Sequence, residues 1–170
     1  MLGTAITGLV ALIGVALGGW LSLRNQDRMW KRDHERHWRD IRLRTYNDFL
    51  TALRRYVAFV NEANVQVTAV AHPRVPGEQL PSFDSEGRPY KEDLEAALMA
   101  VRLVSSRLET VRACIAVVAA ARQVAAARAT VPAGEVPAEL FETLWTAEHE
   151  LLNAARAEVE LPALPDMRRG

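Results

Sequence analysis

The chain is short of the residues on which most recognisable chemistry depends. Among 170 residues there is one cysteine, Cys114, which excludes an internal disulfide framework and any CxxC pair for a metal or a redox centre, as a reducing compartment would permit. No GxxxxGK[ST], GxGxxG, HExxH or GxSxG motif is present, and no Ser/His/Asp or Cys/His grouping would be assembled by one helix face. An enzyme built on this sequence would need an unfamiliar site, so the chain reads as non-enzymatic, with no catalytic residue, no cofactor and no resident metal. Two further absences organise it. The first 23 residues carry no charged side chain, and from Arg24 to about Ala71 there is neither proline nor glycine.

The first absence belongs to an apolar run, Leu2 to Leu23 (LGTAITGLVALIGVALGGWLSL). A helix needs about 20 apolar residues to cross a bilayer, so this segment is expected to be a transmembrane anchor. It lacks the basic n-region and small-x-small cleavage site of a secretory signal peptide, which argues for a retained span. Arg24, Arg28, Lys31, Arg32, Arg36, Arg39, Arg42 and Arg44 follow it. Basic flanks stay in the cytoplasm, so the expectation is a single-pass protein of the inner (plasma) membrane, N-out, with a cytoplasmic C-terminal domain. Residues 1–55 hold ten Lys/Arg against five acids, and residues 56–170 hold eleven against sixteen. Basic charge beside the span suits an anionic leaflet, at about 1 kcal/mol per exposed cation. The interleaved Asp27, Asp33, Glu35 and Asp40 argue against nucleic acid as a partner.

The second absence belongs to a long amphipathic helix. Trp38, Ile41, Thr45, Phe49, Leu53, Tyr56, Val60, Ala63 and Val67 recur at steps of three and four, predicting a helix over about 24–71 that continues from the anchor without a stop signal. Asp27 with Lys31, Glu35 with Arg39 and Asp40 with Arg44 are acid-then-base pairs at i, i+4, each adding about 0.2–0.5 kcal/mol. His72 to Pro89 (HPRVPGEQLPSFDSEGRP) holds four prolines and two glycines and reads as a long loop. Pro89 then suits the first turn of a second helix, over about 90–129. A seven-residue column of Leu94, Val101, Leu108 and Ile115, with Ala97, Val104, Val111 and Val118 beside it, predicts a seam that packs against partner helices. Val131 to Val136 (VPAGEV) interrupts the chain before a third helix over about 137–160, with a flexible tail over 161–170. No strand-like alternation stands out. The expected fold is all-α: a transmembrane helix running into an antiparallel, coiled-coil-like three-helix bundle over 24–160.

Each candidate site has a plain structural alternative. Gly8, Ala11, Gly14 and Gly18 form a small-residue stripe with a GxxxG, which lets two helices approach closely in lipid and would support a homo-oligomer, although glycine and alanine are common in spans. Trp20, Arg24 and Arg28 are placed at the membrane interface. His34 and His37, at i, i+3 in WKRDHERHW, share a helix face but lack the third and fourth ligands of a zinc site, so surface or interface histidines are the better reading. Cys114 lies on the apolar side of RACIAVVAAA and reads as an inert core thiol. Glu92, Asp93 and Glu95 complement a helix N-terminus better than they make a catalytic pair. Arg74, Phe83, Asp84 and Arg88, in the Pro-rich loop, are the candidate contacts to a protein partner, because long loops without structure of their own are often functional.

The uncharged N-terminus, the Gly-rich span, the segment RMWKRDHERHWRDIRLRTYNDFL and the Ala/Val/Arg-rich remainder together resemble small uncharacterised membrane-anchored helical proteins of high-GC actinobacteria, mainly over residues 1–60. The resemblance implies location and shape and brings no catalytic residues. The expected function is that of a non-enzymatic, membrane-anchored interaction or scaffold protein with the bilayer and an unidentified protein as partners. The alternative is a membrane-active lysis, immunity or toxin-like protein acting through oligomers of its anchor. A coiled coil outside the cell would need the opposite topology, against the basic flank.

Overall fold

A computed structural model describes residues 2–73, 75 and 79–165, with the side chains of 2–29 and Lys31 excepted. The element order is α1 (Leu2–Val60), β1 (Val67–Ala71), β2 (Gln79–Phe83), α2 (Arg88–Val104), α3 (Leu108–Ala127), a 3-10 turn at Ala133–Glu135, and α4 (Ala138–Glu158). The protein is therefore mostly helical with a small two-stranded sheet, and the all-α expectation is corrected to that extent. Residues 1–40 and 41–170 form two compact units.

The unit of residues 1–40 is helical from Leu2 onward. Its described side chains are exposed, and Arg36 lies 3.9 Å from Asp33 one turn away.

In the unit of residues 41–170, α1 buries Tyr46, Phe49, Leu53, Tyr56 and Val60, one stripe at steps of three and four. The predicted helix to residue 71 ends at Val60 instead. Asn61 folds its side-chain amide back onto the Val57 carbonyl at 2.8 Å, and the buried Arg128 guanidinium collects the carbonyls of Val60, Glu62, Val65 and Val131 at 2.8–3.3 Å. A cation among the last carbonyls of a helix satisfies groups that the helix leaves unpaired. Beyond this stop, VTAVA is rich in β-branched residues and forms β1.

The Pro-rich stretch is not without structure of its own, since it contains β2 and the first residues of α2. β1 and β2 pair antiparallel with Val67 opposite Phe83, Ala69 opposite Pro81 and Ala71 opposite Gln79. Pro81 is tolerated because both strands of a two-stranded sheet are edge strands. After β2, Asp84 Oδ1 accepts the N–H groups of Glu86 and Gly87, both at 3.0 Å, and sets the turn into α2.

The helix expected over 90–129 is two helices. Ser105 and Arg107 are extended, and the break ends the heptad column: Leu94 and Val101 are buried, but Leu108 and Ile115 are 58% and 47% exposed. α3 resumes with a different face inward, burying Cys114, Val117, Val118, Ala121 and Val124. It packs most extensively on α4 and also meets α2, β1 and β2, so it is the centre of this unit, and its small residues let the α4 backbone come close. α4 buries Leu144, Ala147, Leu151 and Ala155. The arrangement is four helices with a hairpin, in place of the expected three-helix bundle. Cys114 is buried in the core, as expected.

Gly87 lies where the hairpin meets α2. Its backbone is ordinary right-handed helical, yet a Cβ there would stand 2.7 Å from Phe59 Cε1 and 2.8 Å from Phe83 Cβ and Cδ1. Gly87→Ala is expected to lower stability by about 1–3 kcal/mol through overpacking of these rings, with an earlier midpoint in urea unfolding at unchanged slope.

Candidate functional site

Among the described residues, a ring cluster in residues 1–40 and a buried carboxylate in residues 41–170 are the first two candidates. In residues 1–40, Trp30, His34 and Trp38 recur at i, i+4 and i+8 and lie along one side of the helix. The Trp30 and His34 rings stack at 5.2 Å with their planes 10° apart. His34 meets Trp38 edge-on at 6.2 Å, and the Trp38 indole Nε1–H donates to His34 Nε2 at 3.0 Å. Trp30 is 68% exposed and Trp38 38%. Arg32, Arg36 and Arg39 are exposed around them. Large indoles left in water beside cations form an amphipathic surface of the kind found at membrane and protein interfaces.

The hydrogen bond from Trp38 occupies one ring nitrogen of His34, the Nε2 that accepts the indole hydrogen. Among the described residues no group of three His, Cys, Asp or Glu side chains is placed to hold a metal ion.

In residues 41–170 the chemistry converges on Glu158, which was not a candidate from the sequence. Its side chain is fully buried. Oε2 accepts from Thr110 Oγ1 at 2.6 Å and Ser105 Oγ at 2.8 Å, while Oε1 accepts from the Ser106 N–H at 2.7 Å and Ser106 Oγ at 3.1 Å. Arg42 Nε lies 3.4 Å from Oε1 and donates to the Val104 carbonyl at 3.0 Å. Burial alone would raise the carboxyl, but the hydrogen bonds from Thr110, Ser106 and Ser105 outweigh it, and its pKa is lowered from the ordinary 4.5. Burial also pushes the Tyr46 and Tyr56 phenols up, so both remain protonated donors. With both oxygens occupied, Glu158 is a structural joint rather than a general base.

The sequence signals for this joint are slight but legible: an acid in the last turn of α4, where the macrodipole favours a cation, and the Ser105-Ser106 pair with Thr110 at the α2–α3 break.

The other expected site residues are dispersed. Gly8, Ala11, Gly14, Gly18, Trp20, Arg24 and Arg28 belong to α1, and their side chains lie outside the described residues, as does Arg74. Phe83 is half-buried in β2 against Tyr56 and Phe59, with ring centroids at 5.6 and 6.1 Å. Asp84 is occupied by the turn that starts α2, and Arg88 is exposed at the first position of that helix. Glu95 pairs with Arg122 at 3.1 Å. Glu92 and Asp93 lie beyond the first turn of α2, because that helix begins at Arg88.

Among the residues whose side chains are described, α3 is the one helix long and apolar enough to cross a membrane by length and composition. It lies mid-chain, and its central place in the core accounts for its apolar character. No protein-family model matches the chain, and neither does any curated protein or solved structure.

Glu158→Ala is expected to cost about 3 kcal/mol, since it strands Arg42 and the buried Thr110 hydroxyl. Because the folded carboxyl titrates below its unfolded value, its contribution is present above about pH 4.5 and is lost as pH falls through the folded pKa. Denaturant unfolding from pH 7 to pH 3 should show a loss of stability on the acid side that is shallower in Glu158→Ala.

Proposed function

We propose that the chain is a non-enzymatic, membrane-anchored interaction protein. Leu2–Leu23 crosses the inner membrane N-out, and the unit of residues 41–170 is displayed in the cytoplasm to bind a protein partner. The observation that carries this reading is α1 itself. One helical element, Leu2–Val60, contains the uncharged apolar run, the Arg-rich flank and the stripe from Tyr46 to Val60 that enters the core. A helix satisfies every backbone group within the hydrocarbon, which is what a spanning segment requires. The basic residues that follow favour retention on the cytoplasmic side, and the exposed Trp30 and Trp38 among them suit an interface.

The membrane-active reading draws on the GxxxG of the span, but a unit with its own buried core is more than an oligomerising anchor needs. The folded unit favours recognition of a partner over disruption of the bilayer.

Removing residues 2–23 is expected to move the protein from the carbonate-washed membrane pellet into the soluble fraction, while the full chain stays in the pellet. A fluorescent protein fused after Gly170 should fluoresce, and alkaline phosphatase fused at the same point should be inactive. A full chain found in the soluble fraction removes the anchor; active phosphatase reverses the topology.

A further inference from the structure

We propose that the cleft bounded by α1, β2, α2 and α3 is a binding site for a short-chain carboxylate. The cleft has a volume of about 80 Å³, well above the roughly 10–15 Å³ that one water needs. Its polar residues are Tyr56, Lys91, Glu95 and Arg122.

Their hydrogen-bonding capacity is unbalanced. Glu95 supplies the acceptors, and one of its oxygens already takes Arg122 at 3.1 Å. The donors are in excess. Arg122 has further N–H groups, Lys91 makes no ion pair among the described residues, and the buried Tyr56 hydroxyl has no hydrogen-bond partner among them. A buried donor without an acceptor is unfavourable, so this corner favours an incoming acceptor. Formal charge points the same way, since two cations face one carboxylate. The complement is a monoanion rich in acceptors.

The other walls set the rest of the ligand. Leu80, Pro81, Leu94 and Val118 line the cleft, and such surfaces accommodate two or three methylene or methyl groups better than a hydrated inorganic ion. A carboxylate held by Lys91 and Arg122, with the Tyr56 hydroxyl as a further donor, places an aliphatic tail against them. A bidentate match to the guanidinium adds orientation. This inference does not rest on the membrane reading.

The full chain, in nanodiscs if it fractionates with the membrane and in buffer if it is found in the soluble fraction, is titrated with propionate and, separately, with the isosteric neutral propionamide, by calorimetry and by chemical shifts of labelled ligand. Propionate is expected to bind saturably, and propionamide at least tenfold more weakly. Lys91→Gln, at a partly exposed position, and Tyr56→Phe, which keeps the ring in the core, should each lower propionate affinity about tenfold, the equivalent of one charge-assisted hydrogen bond, with far-UV helicity unchanged. Non-saturable propionate binding, equal binding of propionamide, or wild-type affinity in a folded Tyr56→Phe protein would overturn the proposal.

Discussion

The unit of residues 41–170 depends on one buried negative charge. Glu158 sits in the last turn of α4, where a carboxylate opposes the helix dipole, and it is tolerated because it faces the start of α3, where unpaired N–H groups and a positive dipole end favour an anion. The hydroxyls of Ser105, Ser106 and Thr110 and the Ser106 N–H complete its shell. One carboxylate thereby ends α2, begins α3, fixes the close of α4 and, through Arg42, reaches α1.

The opposite end of α3 is answered in kind. Arg128, just past its last turn, is the buried cation, and it serves four carbonyls rather than a carboxylate. Each charge lies at the end of α3 that its sign complements. Between them α3 is almost wholly Ala and Val on its buried side, which permits close packing but supplies little shape to fix the register of one helix on another. The buried charges supply that register, because each accepts only the arrangement that satisfies all of its partners. The aromatic cluster of Tyr56, Phe59, Phe83 and Tyr90 does the same for the hairpin, with Phe59 and Tyr90 stacked at 4.5 Å.

Much of the helical content was legible because periodicity over a long segment is a strong signal. The α1 stripe from Phe49 to Val60, the buried Cys114 and the break at VPAGEV emerge where the residue pattern places them. The misplaced boundaries share one cause. Val67 had the right spacing to extend α1, and Leu108 and Ile115 the right spacing to extend α2, but spacing cannot show that Arg128 caps the first helix or that Glu158 splits the second. The hairpin was masked by its prolines, since Pro81 reads as a strand breaker unless the strand is known to lie at an edge. The histidines were legible as a pair on one face, but not as His34 engaged by Trp38.

What the sequence by itself determined is the division of the chain: an uncharged apolar run, a basic flank, helix-forming segments, breaks at proline and glycine, and the absence of a familiar catalytic motif. These follow from composition and period, properties of residues near one another along the chain. The tertiary structure alone decided where α1 stops, that residues 67–71 and 79–83 pair as strands, that one predicted helix is two, and which side chains gather around Glu158, Arg128 and Tyr56. Each of those outcomes depends on partners tens of residues away, such as Ser105 and Glu158 at a separation of 53. Local pattern carries no information about which distant donor meets which acceptor; packing does.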